Sequence, residues 1–411
     1  MPMIFLRQVQ RSKMILQDLL RSDLCFKTVP KISVLHNTYA FPLKFHPTLP
    51  RVFIEALTQP DERVLDPMCG SGTTLIEAAL VGRIGFGLDC DPLAVKLSKM
   101  KTSRLDPGKV KTVLYQIVNN AFISSLASPD IIHQFLQSHY SKVALRFFHE
   151  QFCEESILQL ACLVREIQRI EEPTLKNFFE VVFSSIVLAS TKKPRDTIKF
   201  FLEKGTHGMG SLQEFHGVHG YARVARGDVR NLPMADNTID LVITAPPYGN
   251  AVDSVLPHRS SLYWLGVDEE TLARCHDHYI GIQTLRPETQ ELQQDFLKAT
   301  IIQMADADGR TAYPAGCILG QYFQDVAQAL SEMQRVLKPG KAAVVVAGTL
   351  TIQGVILQTH EILSEIARAV GFQWVASKAI EAGCDDQNHN GHKTRACAYQ
   401  EYVMGLVKRG S

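Results

Sequence analysis

The stretch RVLDPMCGSGTT, residues 63–74, decides the fold of this 411-residue chain. Its first four residues predict a short buried strand that ends at Asp66, and the glycines that follow allow a sharp turn and a close approach to a ligand. A helix is predicted up to Leu80 and closed by Gly82, and a second strand is predicted to end at Asp89. Strand, glycine turn, helix and strand in this order indicate a βαβ unit.

The same alternation returns in the C-terminal half, whereas the middle of the chain carries helical spacing. The predicted elements there are strands at 239–243, 342–347, 372–376 and 401–407, and helices at 321–337 and 355–370. We therefore expect an α/β protein with a doubly wound, Rossmann-like fold and a helical insertion. The predicted parts are a helical lead-in (1–35), a catalytic domain (36–106 and 221–411) and an insertion (107–220) for substrate recognition, with a loop at 205–220.

Composition excludes some classes of function. Lys and Arg number 43 and Asp and Glu 42, so that any site for nucleic acid must be locally basic. Nine cysteines are scattered singly, which is typical of a reducing compartment. The sequence shows neither a signal peptide nor an apolar run long enough to cross a bilayer, so we expect a cytoplasmic protein that does not bind membranes.

The glycine loop predicts a cofactor site. It lacks the third glycine of the dinucleotide fingerprint, and the carboxylate of Asp66 would repel a pyrophosphate. An acid at this place favours a cationic ligand such as S-adenosylmethionine. Asp89 is predicted to accept hydrogen bonds from both ribose hydroxyls, the alternative being a helix N-cap that Asp91 could supply instead. Asp228 is predicted to accept from the adenine amino group, the alternative being an ordinary loop residue.

A second motif, TAPPY at residues 244–248, follows the predicted strand 239–243. An exocyclic amino group of a base is a poor nucleophile, and acceptors for its two hydrogens make it reactive. The carbonyl of Pro246, held rigid by Pro247, can be one acceptor, and the ring of Tyr248 offers a face on which an extruded base can stack. The alternative is a plain turn with a core tyrosine. Methylation at cytosine C5 is excluded, because it needs a cysteine after proline and the chain has no such pair.

Two other groups of residues are open to a functional interpretation. Cys384, His389, His392 and Cys397 match no common zinc module, so we expect no metal and a polar loop facing nucleic acid. The basic clusters are 192–195 and Arg223, Arg226 and Arg230. Each cluster is more often a solvated surface than a phosphate contact, and we expect one of them to touch the substrate backbone.

Together these motifs resemble the amino-directed DNA methyltransferases, most closely the cytosine-N4-specific modification methylases. The resemblance lies in four segments. They are the motif before the cofactor loop (41–50), the cofactor loop and second strand (66–92), the catalytic loop with its downstream signature (244–266) and the strand near 339–348. It implies that the Rossmann-like fold is of the S-adenosylmethionine-dependent methyltransferase type, with S-adenosyl-L-methionine as cofactor. It also implies double-stranded DNA with a flipped target base as substrate and a cognate restriction endonuclease as a partner. The cofactor-binding residues that the motifs and the resemblance indicate are Lys44, Phe45, Asp66, Met68, Gly70, Gly72, Thr73, Thr74, Asp89, Cys90 and Asp228. The catalytic residues are Ala245, Pro246, Pro247 and Tyr248.

Ala245 departs from the family, which has Ser, Asp or Asn before the two prolines. The change removes one side-chain acceptor, and the sequence leaves three interpretations open. Another group such as Thr244 or a water serves instead, or the protein has reduced activity, or the alanine was introduced to trap a complex. The target is predicted to be cytosine N4. The alternatives are adenine N6, an RNA amino group, and a non-catalytic protein that binds cofactor and nucleic acid.

Overall fold

A seven-stranded mixed sheet forms the centre of the molecule. The computed structural model describes residues 2–24, 34–37, 39, 46–190, 196–215, 217–247, 255–281, 312–352, 355–380 and 400–409. The strands of the sheet are β1 (Arg63–Asp66), β2 (Ile84–Asp89), β3 (Tyr221–Arg226), β4 (Ile239–Thr244), β5 (Leu337–Gly348), β8 (Phe372–Ile380) and β9 (Glu401–Lys408). A separate hairpin consists of β6 (Leu350–Ile352) and β7 (Val355–Leu357).

The order of the strands across the sheet is β3-β2-β1-β4-β5-β9-β8. The first five of these strands pair in parallel, and β9 runs antiparallel to both of its neighbours. The chain winds outward through β2 and β3 and then returns to the other side of β1 at β4. This reversal is the topological switch point at which doubly wound sheets bind ligands. The predicted fold class is confirmed.

Fourteen helices are described in the parts of the chain given above. They are α1 (Pro2–Arg21), α2 (Thr48–Leu57), α3 (Thr73–Leu80), α4 (Pro92–Lys101), α5 (Pro107–Ala127), α6 (Pro129–His139), α7 (Lys142–Gln151), α8 (Glu154–Gln168), α9 (Pro173–Val187), α10 (Thr197–Leu212), α11 (Val255–Trp264), α12 (Glu269–His278), α13 (Ala312–Val336) and α14 (Thr359–Ala369).

Both faces of the sheet are covered by helices. Alternate strand residues such as Val64 and Leu241 pack with α1 and α2 on one face, whereas Leu65 and Val242 pack with α13 and α14 on the other. This alternation follows from the period of two along a strand. It explains why the central strands are apolar on both sides.

Helices α5 to α10 enclose a second core together with α11. Trp264 of α11 is fully buried there and stacks on Phe148, with ring centroids 4.0 Å apart and an interplanar angle of 12°. The aromatic residues of this core therefore fix α11 against the helical segment. The division of the chain into the three parts named above stays a prediction.

Three local predictions were wrong. Residues 205–212, predicted as loop, belong to α10, where Gly205 and Gly208 permit close packing against Leu114 and Tyr39. The predicted helix 355–370 begins only at Thr359, because Val355–Leu357 pairs with Leu350–Ile352. Strand β5 starts before the predicted strand 342–347, with the segment around Gly340 accommodated by a shift in its register against β4.

Candidate active site

The predicted site residues that end strands lie along one edge of the sheet. Asp66, Asp89 and Thr244 are the last residues of β1, β2 and β4, which pair in parallel as neighbours. Asp228 follows β3, the next strand outward. Since parallel strands end at the same edge, the two motifs meet at the switch point of the sheet.

The glycine loop between β1 and α3 needs glycine for two reasons. Gly70 and Gly72 have φ angles of 48° and 82°, in the left-handed region that side chains disfavour. A Cβ atom at Gly72 would also lie 3.0 Å from Oγ of Ser98. That hydroxyl donates to the carbonyl of Gly70 at 2.6 Å, which holds the loop against α4. The loop leads directly into α3, whose first residues are Thr73 and Thr74, both buried.

Asp89 binds the glycine loop through its carboxylate. Oδ2 accepts from the backbone N–H of Gly70 at 2.8 Å, and Oδ1 accepts from that of Asp91 at 2.9 Å. Burial and the nearby Asp91 carboxylate raise the pKa of Asp89 to about 7. The helix N-cap belongs to Asp91, whose Oδ1 accepts from the N–H of Leu93 at 2.7 Å. The Asp89 side chain, which is partly exposed, is therefore not used as a cap.

Asp66 connects the two motifs. Its Oδ1 accepts from the hydroxyl of Thr244 at 2.9 Å and from the N–H of Met68 at 3.3 Å. Burial raises the pKa of this carboxyl to about 6, although these hydrogen bonds lower it. Within the described residues no basic side chain forms an ion pair with Asp66 or Asp89. The pKa of both acids is raised by burial, and a cationic ligand such as S-adenosylmethionine would stabilise their ionised form.

The carboxylate of Asp228 forms an ion pair with Arg230 that the sequence analysis did not predict. Arg230 donates to both of its oxygens, from Nε at 2.9 and 3.1 Å and from Nη2 at 2.6 Å. Arg230 also pairs with Asp325 at 2.7 Å. Burial alone would raise the pKa of Asp228. The hydrogen bonds from Arg230 outweigh this effect, so the pKa of Asp228 lies below its usual value. An adenine amino group at this carboxylate would therefore share it with Arg230.

The three arginines of the basic cluster predicted around β3 differ in their exposure to solvent. Arg230 is 11% exposed in its side chain and belongs to an ion-pair network, so its interpretation as a solvated surface cation was wrong. Arg223 and Arg226 are exposed, in agreement with that interpretation. Arg226 also donates to Sγ of Cys275 at 2.9 Å.

The second motif begins directly at the end of β4. Thr244 is fully buried, and its hydroxyl is directed to Asp66 and not to open space. Ala245 is half-buried, Pro246 is buried and Pro247 is half-buried. Thr244 is therefore poorly placed to replace the missing acceptor at position 245.

Some predicted residues lie outside the described parts of the chain. They are Lys44, Phe45, Tyr248, Lys192, Lys193, Pro194, Arg195, Cys384, His389, His392 and Cys397.

The predicted cofactor residues Met68 and Cys90 are partly exposed near the same edge of the sheet. In the described residues no three His, Cys, Asp or Glu side chains are grouped to hold a metal ion. No helix there is both long and apolar enough to span a membrane.

Helices α11 and α12 also contribute residues to this edge. His258 of α11 is buried, and its Nδ1 lies 2.6 Å from Oδ2 of Asp91. Tyr279, just after α12, packs with Cys275 and Cys90. His258 stood within the sequence motif after the prolines, but its partner is distant in sequence, so spacing alone could not identify the contact.

Comparisons with known proteins find similarity to methyltransferases. Residues 39–120 match a family described as an RMKL-like methyltransferase domain. The Type II methyltransferase M.MvaI of Kocuria varians is 24% identical over 375 residues, a match that covers 80% of each protein. The Type II methyltransferase M.MjaII of Methanocaldococcus jannaschii is 23% identical over 157 residues, covering 35% of this chain and 29% of that protein. The first relative is therefore similar along most of both chains.

Solved structures with some similarity include two further methyltransferases. A TehB-like enzyme of Corynebacterium glutamicum that depends on S-adenosylmethionine is 11% identical, with 90% of each chain covered and a TM-score of 0.32. The rRNA methyltransferase aviRa of Streptomyces viridochromogenes is 12% identical, with 94% of this chain and 96% of that chain covered and a TM-score of 0.35. The fold assignment itself rests on the strand order.

Proposed function

We propose that this chain is an S-adenosylmethionine-dependent methyltransferase that methylates an exocyclic amino nitrogen of a DNA base, preferably cytosine N4. The observation that carries the proposal is the hydrogen bond of 2.9 Å between Thr244 and Asp66. It joins the acid of the glycine loop to the residue immediately before Ala245 and the two prolines. A cofactor on the first loop and a base on the second would therefore be neighbours.

The glycine loop and the two acids are the residues that would hold the cofactor. Bound S-adenosylmethionine supplies a methyl group on a positively charged sulfur. Gly70 and Gly72 let the backbone approach it closely, and Asp89 accepts from its ribose hydroxyls. Asp66, which directly precedes the same loop, offsets the positive charge of the cofactor. The proposed contacts along this edge also include Met68, Thr73, Thr74 and Cys90. The family resemblance of residues 41–50 adds Lys44 and Phe45.

The proline loop would activate the amino group. Its nitrogen gains positive charge as it attacks the methyl group, and acceptors for its hydrogens stabilise that charge. The carbonyl of Pro246 serves one hydrogen, and Ala245 offers no side-chain acceptor for the other. The base has to leave the double helix to reach this loop, and Tyr248 would stack on it. Direct transfer needs no covalent intermediate between enzyme and base.

DNA is proposed as the substrate for two reasons. The motifs resemble those of amino-directed DNA methyltransferases, and a Type II methyltransferase is similar to this chain over 375 residues, 80% of each protein. Cytosine N4 rests on the motif resemblance alone, because adenine presents a similar amino group to the same loop. A cytoplasmic location and a cognate restriction endonuclease stay predictions.

The test is transfer of a labelled methyl group from the cofactor to unmodified genomic DNA and, in parallel, to total RNA. Digestion and mass spectrometry of the nucleosides then identify the product. We expect N4-methylcytosine from DNA and no 5-methylcytosine, with cofactor binding weakened in Asp89→Ala by about 1.5–3 kcal/mol, the scale of a hydrogen bond to a charged group. N6-methyladenine would overturn the choice of base, and label in RNA alone would overturn the choice of DNA. A protein that binds no cofactor in calorimetry would overturn the proposal altogether.

A further inference from the structure

Helix α11 begins after the proline loop and is fixed firmly at its C-terminal end. The carbonyl of Trp264 accepts from the hydroxyl of Tyr140 at 2.8 Å, and the Trp264 ring is buried in the helical core. The hydroxyl of Ser261 donates to the carbonyl of Ser184 at 3.2 Å. All these contacts tie α11 to the helical segment and not to the cofactor edge.

The N-terminal half of α11 makes a different contact. His258 is 4% exposed and Asp91 is 3% exposed, and Nδ1 of the histidine lies 2.6 Å from Oδ2 of the aspartate. The same aspartate caps α4 with its other oxygen and donates its N–H to Asp89. Asp89 in turn accepts from Gly70. A continuous series of hydrogen bonds therefore runs from the cofactor loop to α11.

We propose that His258 is a positioning residue that holds α11 in register with the cofactor site. The inference rests on the proposed function. Helix α11 follows Pro247 closely in the chain, so a shift of α11 acts next to the prolines that the proposed function assigns to the base. A misplacement of about 1 Å between reacting groups can lower a rate about 100-fold.

This role predicts a separation between chemistry and binding. His258→Ala should lower the single-turnover methylation rate by about 10- to 100-fold. The affinity for S-adenosylhomocysteine should change by less than about threefold, because Asp91 and Asp89 keep their backbone partners. Ser261→Ala is the matched control on the same helix. Its contact is with the helical segment, and its rate should stay within about threefold of wild type.

Two conservative variants distinguish positioning from packing. The amide nitrogen of asparagine lies two bonds beyond Cβ, as Nδ1 of histidine does, whereas that of glutamine lies one bond further. His258→Asn should therefore restore the rate to within about threefold of wild type, and His258→Gln should resemble His258→Ala. If the side chain serves only to fill space, glutamine, which is closer to histidine in volume, would be the better replacement. That order would overturn the proposal.

A measurement without turnover separates this inference from the proposed function. Hydrogen exchange of the backbone of α11 should slow when S-adenosylhomocysteine binds to the wild-type protein. The protection should disappear in His258→Ala and return in His258→Asn, with thermal unfolding used to verify that each variant is folded. Equal protection in wild type and His258→Ala would refute the inference. A wild-type protein that shows this protection but methylates no nucleic acid would refute the proposed function alone.

Discussion

The raised pKa of Asp89 leads to a defined pH dependence of cofactor binding. The carboxylate must be ionised to accept from both ribose hydroxyls, since one oxygen of a protonated carboxyl becomes a donor. With a pKa of about 7, roughly a tenth of the group is ionised at pH 6 and roughly nine tenths at pH 8. The affinity for the cofactor should therefore rise about tenfold from pH 6 to pH 8, equal to about 1.4 kcal/mol.

The direction of this effect follows from which form binds. A raised pKa means that the free protein holds a proton on Asp89 below about pH 7, and that proton has to leave before the ribose is bound. Affinity is thus lost as the pH falls through the pKa. Asp66, whose pKa is raised to about 6, contributes in the same direction at lower pH.

Calorimetric titration with S-adenosylhomocysteine at pH 6, 7 and 8 measures the effect without turnover. Asp89→Asn is the matched control, because the amide keeps the size of the side chain and cannot titrate. It should bind more weakly at pH 8, by about 1.5–3 kcal/mol, the scale of a hydrogen bond to a charged group. Most of the pH dependence should vanish. An unchanged pH dependence in Asp89→Asn would show that another group is responsible.

Three further changes test the loop and the core. Ala245→Ser should raise the single-turnover methylation rate at least about tenfold, about 1.4 kcal/mol, without changing cofactor affinity, because it adds the missing acceptor. A fast Ala245 protein that serine does not improve would show that another acceptor is present. Tyr248→Ala should weaken DNA binding by about 1–3 kcal/mol, whereas Tyr248→Phe keeps the stacking face and should be mild; equal losses would indicate the hydroxyl. Trp264→Ala should lower the free energy of unfolding by about 3–5 kcal/mol in urea titration, and a loss below about 1 kcal/mol would contradict its role in the core.

The sheet and the edge that carries the site could be predicted from sequence because local patterns encode them. The buried strand before Asp66, the glycine turn and the strand that ends at Asp89 are consecutive, and parallel pairing brings the ends of such strands together. The cap at Asp91 was recognised as an alternative because N-capping depends on neighbouring residues only.

The contacts that were missed depend on residues far apart in the chain. Nothing in the sequence around Arg230 indicates that Asp325 will lie beside it, and the pairing of His258 with Asp91 joins two separate motifs. Gly205 and Gly208 were read as loop formers because glycine disfavours helices. Inside α10 the side chains of Leu114 and Tyr39 approach these two glycines closely, so tertiary packing overrides the local preference.

The packing of α1 on the last strand has a consequence for how the protein is made. A Cβ atom at Gly405 would lie 2.9 Å from Cδ1 of Leu20, so the first helix packs closely on β9 at this glycine. Ser12 likewise donates to the carbonyl of Gly340. During synthesis α1 leaves the ribosome long before β5 and β9, so part of its apolar face stays exposed until these strands emerge. Ribosome-bound chains that lack β9 should therefore expose Leu16 and Leu20, and they are the species on which we expect chaperones to act.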